Sequence, residues 1–419
     1  MADNDIVILS GARTAIGGFG GSLANIPPIE LATTAAKAAI ERSGVAADKI
    51  GTVMFGHVIN TEPKDQYLSR VAMLNAGVPE TAVAMNVNRL CGSGAQAIVS
   101  AAQSLALGDA DFAVAGGAES MSRGGYLVPQ LRAGAKMGDQ QILDMMTGAL
   151  TCPMGTGHMG VTAENVSDEY DVSRQEMDDF ALESQKRAAN AIEQGYFKEQ
   201  IVPVEIKSRK GTVSFDTDEH PKATSAEALA GLKTVFKKDG KVTAGNASGI
   251  NDGAAALVLA RADAAKAAGL TPKFRLLGYS HAGVRPEVMG IGPVPAVQAL
   301  LNRTGLALGD FDVIESNEAF AAQACAVSRE LDLDPAGLLE LQAAFQHLAL
   351  LELALQVEEH QVITTGLQGH RLTGLDHGDR RRRRPRAGSR GSASPGRSGD
   401  PYRRCPMAWW RRWPCWPPS

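Results

Sequence analysis

The chain has 419 residues, 44% apolar and 5% aromatic, with a formal charge of −4; it is long enough for one or two cores, and no apolar run approaches the roughly 18–20 residues of a membrane span. The acidic start MADNDIVILS has no basic leader segment, and the five cysteines (91, 152, 325, 405 and 415) are odd in number and form no CxxC pair, so a cytoplasmic protein with reduced thiols is expected. No His/Cys cluster has metal-ligand spacing and no GxxxxGK[ST] loop occurs, so neither a metal nor a nucleotide-phosphate loop is predicted.

In chain order, DIVILSG predicts a strand and PPIELATTAAKAAIERSG a helix. KIGTVMFGHVI then predicts a strand and YLSRVAMLNAG a helix. AVAMNV reads as a buried strand and GAQAIVSAAQSLALG as a helix that stops at Gly108; DFAVAGGAESMS is the next strand. This alternation argues a layered α/β fold.

Between the last strand–helix pair stands NVNRLCGSGAQA, residues 86–97. The Gly-Ser-Gly turn holds the Cys91 sulfur at a helix N-terminus, where amide N–H groups and the helix dipole favour an anion and so a nucleophilic thiolate. A buried cysteine packed between strand and helix is the alternative reading.

Residues 121–250 break the alternation. Met- and Gly-rich loops (SRGGYLVPQLRAGAKMGD, TCPMGTGHMG) surround the charged helix SRQEMDDFALESQKRAANAIEQG; long structured loops of this kind are expected to cover a site. GAAALVLARADAAKAAG returns to strand and helix. Shifted by 261 positions, AAKAAIERSGVAADKIGTVMFG (35–56) lies over AVQALLNRTGLALGDFDVIESN (296–317), with Arg42 on Arg303 and Gly44 on Gly305, so a second α/β unit repeating the first is predicted.

The repeat is not completed. Residues 336–419 hold 13 Arg, no Lys and 7 acidic groups, leaving 29 basic and 39 acidic groups before them. All four Trp fall in the last eleven residues, WWRRWPCWPPS. Such a switch implies two sequences of different origin joined near Pro335, as a frameshift would produce. GLLELQAAFQHLALLELALQVEEH has helical periodicity, and the Arg/Gly/Ser/Pro-rich segment from Gly366 onward is expected to be disordered. A sheet cut short here would leave an exposed edge.

The segments NRLCGSGAQA, GGAESMS, GHMGVTAEN, TAGNASGINDGAA, MGIGPVPA and NEAFAAQ stand in the order found in thiolases. Over about residues 5–335 the chain resembles that family, most closely its biosynthetic acetyl-CoA acetyltransferases. The resemblance implies two pseudo-twofold βαβαβαββ halves in a five-layered α-β-α-β-α fold with an inserted loop domain, the second half incomplete here. The domains would then be 1–120 with 251–270 (first half), 121–250 (loop domain), 271–335 (truncated second half) and 336–419 (tail).

It further implies a Claisen condensation of two acetyl-CoA to acetoacetyl-CoA and CoA. Cys91 would carry the acyl group, and Asn317 of NEAF would hold a water that meets the enolate oxygen. His158, Met159, Ser248, Met289 and Phe320 would line the pantetheine tunnel, with Lys222 toward the CoA phosphates; Cys325 is assigned to packing. No metal or organic cofactor is implied, and a homodimer or homotetramer is. The acetoacetyl-CoA would feed polyhydroxybutyrate or related synthesis.

Two family motifs, the GHP histidine and the CxGGG cysteine, occur nowhere in the chain, so impaired turnover is expected. The alternatives are a degradative 3-ketoacyl-CoA thiolase and a catalytically impaired acyl-CoA-binding subunit. RRRRRPRAGSRG could bind phosphates nonspecifically, but no specific nucleic-acid or membrane partner is expected.

Overall fold

Ile6–Arg13 (β1) is buried at all eight of its positions, which a strand achieves only inside a sheet covered on both faces. The structure, a computed structural model, describes residues 2–209, 211–311 and 313–333 and the backbone of 361–367. Strands β2 (Ile50–Gly56), β3 (Val83–Val87), β4 (Phe112–Ser120), β5 (Asn251–Arg261), β6 (Phe274–His281) and β7 (Gln361–Leu367) join β1 in the order β7-β6-β1-β5-β4-β2-β3. A short strand, Gly17–Gly18, pairs with β5. β2 runs parallel to β3 and β4, and β5 antiparallel to β1 and β4.

Strand alternation sends successive residues to opposite faces. Val7, Leu9, Val258 and Ala260 pack with helices α1 (Pro28–Ser43) and α2 (Leu68–Asn75). Ile6, Ile8, Leu257 and Leu259 pack instead with Ile98 and Leu105 of α3 (Ser93–Leu107). The result is three layers, helix–sheet–helix. Each such buried aliphatic side chain stabilises the fold by about 1.5–3 kcal/mol.

The inserted region makes a further core. Helices α4 (Met159–Glu169) and α5 (Arg174–Gln194) meet α6 (Pro293–Thr304) and α7 (Ala321–Glu330) around Val166, Met177, Val242, Ile291, Val294 and Ala326. Arg13 at the end of β1, itself buried, clamps Asp218 of the insertion through two bonds of 2.7 and 2.9 Å.

The repeat is visible until its strand. α1 ends on Gly44 at φ 73 and α6 on Gly305 at φ 71; each is followed by a short 3-10 turn, Ala47–Lys49 and Leu308–Asp310. The first copy then forms β2, held between β3 and β4. The second does not: the described residues of 311–317, predicted as a strand, form none. A strand needs a neighbour to take its backbone hydrogen bonds, and among the described residues no second sheet supplies one. The second half is thus incomplete, as expected, and its β6 joins the main sheet at two residue pairs of β1, Val7↔Arg275 and Ile8↔Phe274.

Two further expectations are corrected. The tail after residue 335, expected to be helical and then disordered from Gly366, supplies β7, whose Gly366 and Leu367 pair with Arg275 and Phe274; that pairing covers the outer edge of β6. The predicted helix over 337–360 and the segment from 368 onward lie outside the described residues. AVAMNV is a strand but not a buried one. β3 is the outermost strand at its end of the sheet, and its Val83 and Met85 are 62% and 45% exposed.

Candidate functional site

The chain leaves β3 at Val87, whose carbonyl accepts the His57 N–H at 3.0 Å. The Asn88 side chain then accepts the Leu90 N–H at 3.0 Å, and Leu90 turns through a left-handed φ of 47°, a conformation that costs a non-glycine residue about 1 kcal/mol or more. Gly92 N–H and Ser93 N–H close back on the carbonyls of Arg89 and Leu90, each at 3.1 Å. The Ser93 hydroxyl accepts from the Arg89 N–H at 2.8 Å and donates to the Leu90 carbonyl. Five residues are thereby pinned with Cys91 among them.

Cys91 is half-buried and not disulfide-bonded. α3 starts two residues later, with no side chain capping it and no acid in its first turn. The positive end of its dipole is thus left without a carboxylate of its own, the setting that favours a thiolate. The close fit depends on Gly56 at the end of β2: a Cβ there would lie 2.5 Å from the Ser93 carbonyl carbon and 2.6 Å from the Gly94 nitrogen. Arg89 reaches outward to Gln96 at 2.7 Å and to the ring of His281 on β6 at 3.3 Å.

The other described thiols differ. Cys325 is buried in the α4–α7 core, which pushes its thiol up to about 12. Cys152 is also buried, but hydrogen bonds from the Thr156 side chain and the Met154 backbone draw its thiol down.

Most of the remaining predicted residues gather in the insertion and the second half. His158 caps α4: its Nδ1 accepts the Gly160 N–H at 3.1 Å, which places the ring proton on Nε2. Burial holds its pKa below the ordinary range. Its ring stacks on Phe236 with centroids 4.8 Å apart, and Phe236 meets Phe320 edge-on at 6.2 Å. Gly160 permits the stack, since a Cβ there would stand 2.2 Å from the Phe236 ring. Met159, the first residue of α4, donates its N–H to Leu150 at 2.8 Å.

Phe320 and Ser248 lie on two chains laid side by side. Ala247 bridges to Phe320, Ser248 N–H donates to Ala319 at 2.9 Å, and Ala321 N–H donates to Asn246 at 2.9 Å. Asn246 is locked in turn by Asp178, at 2.9 Å. The Asn317 carbonyl accepts from the Gln323 side chain at 3.2 Å. Gly290, next to half-buried Met289, packs against that same Gln323. Lys222 is exposed and its N–H donates to Gln185 of α5 at 2.9 Å; two residues earlier the His220 ring lies flush against Gly249, beside Ser248.

The structure thus brings His158 and Phe320 together through Phe236, joins Phe320 to Ser248, and sets Asn317 and Met289 on either side of Gln323. Cys91 lies in the turn before α3, and the bonds of Asn88, Arg89, Leu90 and Ser93 run within that turn, to α3 and to β6. Phe236, His220 and Gln323 escaped the sequence reading. For Phe236 the available signal was Gly160, because glycine near a helix start is unfavourable unless something packs flush against it.

Family models describe what this chain is similar to. The thiolase N-terminal domain matches residues 6–263, and the thiolase C-terminal domain matches 270–350, beyond the composition break at Pro335. Beta-ketothiolase BktB of Cupriavidus necator is 58% identical over 334 residues, covering 79% of this chain and 85% of that protein. An acetyl-CoA acetyltransferase of Escherichia coli is 49% identical over 331 residues, 78% and 84% of the two chains.

Among solved structures, the acetyl-CoA acetyltransferase of Bacillus anthracis superposes with a TM-score of 0.78 at 43% identity, covering 82% of this chain and 92% of that one. Human mitochondrial 3-ketoacyl-CoA thiolase in complex with CoA gives 0.77 at 41% identity, covering 80% and 84%.

Proposed function

The chain belongs to the thiolase family, and from that premise we propose that its chemistry is acetyl-CoA C-acetyl transfer through an acyl group on Cys91. The observation that carries this is the uncapped start of α3, two residues past a half-buried thiol. The Cys91 thiolate attacks the thioester carbonyl of acetyl-CoA, the tetrahedral oxyanion collapses, and CoA leaves as thiolate, to take up a proton from solvent. A second acetyl-CoA, deprotonated at its α-carbon, attacks the acetyl-cysteine to give acetoacetyl-CoA and restore the thiolate; thiolysis is the reverse.

In this reading the His158–Phe236–Phe320 surface, with Met159, Ser248 and Met289, receives the pantetheine arm. Lys222 offers a point charge to the CoA phosphates, and Asn317 positions the water that meets the enolate oxygen. No metal or organic cofactor takes part.

The chain carries neither a GHP nor a CxGGG motif, the family's source of the second acid–base pair. General acid–base groups contribute about 10²–10⁴-fold each, so we expect acylation of Cys91 to outrun condensation by orders of magnitude. On that account the chain acts as an acyl-CoA-binding, self-acylating protein with residual turnover. A degradative preference for longer 3-ketoacyl-CoA is the second reading, favoured by the likeness to human 3-ketoacyl-CoA thiolase.

We place the protein in the cytoplasm as a homo-oligomer. Among the described residues no helix is long and apolar enough to cross a membrane. The edge of β3, outermost among the described strands with Val83 and Met85 exposed, is the face a second copy would cover.

Incubation with acetyl-CoA labelled in the acetyl group tests the reading. Label on the Cys91 peptide, with little acetoacetyl-CoA formed, is expected; label on another cysteine, or none, refutes it. Thiolysis of acetoacetyl-CoA against longer 3-ketoacyl-CoA separates the two substrate classes.

A further inference from the structure

His57 follows β2 directly and is 4% exposed. Its Nδ1 lies 2.9 Å from the Ala118 carbonyl and 3.4 Å from a Glu119 carboxylate oxygen, both on β4. Its Nε2 points toward Asp65, 4.0 Å from one carboxylate oxygen, and makes no hydrogen bond among the described residues. The ring is thus set between the Ala118 carbonyl and Glu119 on one side and Asp65 on the other.

The two acids are themselves held. Asp65 is fully buried, and one of its oxygens accepts from Thr61 N–H, Thr61 hydroxyl and Glu62 N–H at 2.6, 2.8 and 3.0 Å. Glu119 accepts from Val58 N–H and Ile59 N–H at 2.9 and 3.2 Å, and burial, opposed by His57, pushes its carboxyl up. The remaining charges near this loop, Lys64 and Arg123, lie 3.8 and 3.7 Å from Glu62.

The trio is built into the ground under Cys91. Gly56, just before His57, abuts the first residues of α3, and Gly117, just before Ala118, lies close to both Gly56 and Gly94. The His57 N–H holds Val87, the last residue of β3, and the Asn86 side chain donates to the Asp65 carbonyl at 2.9 Å. We propose that His57, held between Glu119 and Asp65, is a positioning residue for Cys91: it ties the ends of β2, β3 and β4 into the floor on which the α3 N-terminus rests. It touches no substrate and acts only through that floor.

The proposal rests on reading Cys91 as the reactive thiol, so the test uses a property of that thiol alone. Iodoacetamide modification of the full chain is followed at each cysteine by peptide mass spectrometry from about pH 6 to about pH 9. H57L, which removes both ring nitrogens and the bond to Ala118, is expected to slow modification of Cys91 near neutral pH by about tenfold and to move its pH midpoint up by about one unit. H57N, whose amide NH₂ can replace the Nδ1 donor to Ala118, is expected to restore most of the rate. Cys152 and Cys325 should stay slow in both.

Wild-type behaviour of Cys91 in H57L would overturn the proposal, as would faster modification of Cys152 and Cys325 together with the change at Cys91, which marks general loosening. Should H57L fail to fold, H57Q replaces it, since its longer amide reaches the Nε2 side and is expected to behave like H57L in the pH profile. If Cys91 of the wild type does not react at all, the nucleophile reading itself fails; if it reacts and the variants match it, only the positioning role does.

Discussion

Gly56→Ala tests the contact on which the Cys91 turn depends. The added methyl would sit 2.5 Å from the Ser93 carbonyl carbon and 2.6 Å from the Gly94 nitrogen, whereas ordinary contact begins at 3.4 Å. Both neighbours are backbone, so no side chain can swing away and the start of α3 must retreat by roughly 1 Å to relieve the overlap. Alanine gains about 0.5–1 kcal/mol over glycine in a strand through lower chain entropy. Overpacking of this kind costs about 1–3 kcal/mol, so the clash wins and the melting temperature should fall by about 1–2 °C, at about 1 °C per kcal/mol in a chain of this length.

The sharper readout is chemical. Helix-terminus stabilisation of a charge is worth up to about 2 kcal/mol in partly buried settings and fades within the first turn, so withdrawing the α3 amides should slow iodoacetamide at Cys91 by about three- to tenfold near neutral pH. Gly117→Ala is the matched control: its methyl would meet the Gly56 carbonyl and the Gly94 Cα at 3.5 and 3.6 Å, ordinary contacts, and Cys91 should react at nearly the wild-type rate. A G56A protein with unchanged melting and unchanged Cys91 reactivity, or a G117A protein damaged equally, would refute the reasoning.

Gly160→Ala puts a methyl 2.2 Å from the Phe236 ring and should weaken CoA binding by about tenfold in calorimetry, through loss of a stack worth about 0.5–1.5 kcal/mol together with strain, while Cys91 alkylation stays normal. Placing lysine at both exposed positions of the sheet edge, V83K with M85K, should shift the sedimentation profile toward monomer without lowering the melting temperature; an unchanged profile removes β3 as the assembly face. His158 has its pKa held below the ordinary 6.5 by burial, so the unfolded chain takes up its proton first: the residue's contribution to stability is complete above that value and is lost as pH falls below it. The difference in melting temperature between wild type and H158N should therefore narrow on acidification through that window, and a difference independent of pH would contradict the neutral cap; His220 and His281, shifted the same way, are common to both proteins and cancel.

Strands and helices near the start of the chain were legible because local signals and tertiary demands agree there. Ile6–Arg13 carries a continuous buried run, Pro28–Ser43 and Ser93–Leu107 each carry an apolar pattern that ends at a glycine, and Gly44, Gly108 and Gly305 all close helices in the left-handed region. What failed was whatever depends on neighbours. FDVIES has a strand's composition and the same register as β2, but β2 bonds to strands on both sides and its counterpart has none among the described residues. The exposure of Val83 and Met85 likewise follows from strand order, which no window of sequence contains.

The same division runs through the site. The Cys91 turn was readable because a strand end, a Gly-Ser-Gly turn and a helix start are consecutive in the chain. The aromatic surface was only half readable, since His158, Phe236 and Phe320 come from three distant segments and Phe236 belongs to no recognised motif. His57 shows the limit most clearly: as one letter in FGHVI it is a histidine at a strand end, and only folding reveals Glu119, 62 residues onward, and Asp65, 8 residues onward, on its two sides. Burying the Asp65 carboxylate costs several kcal/mol unless hydrogen bonds offset it, and Thr61 and Glu62 supply three. A fold that keeps such a group directly behind the Cys91 turn ties the placement of that turn to it, and the pH profile of Cys91 is where the difference must appear.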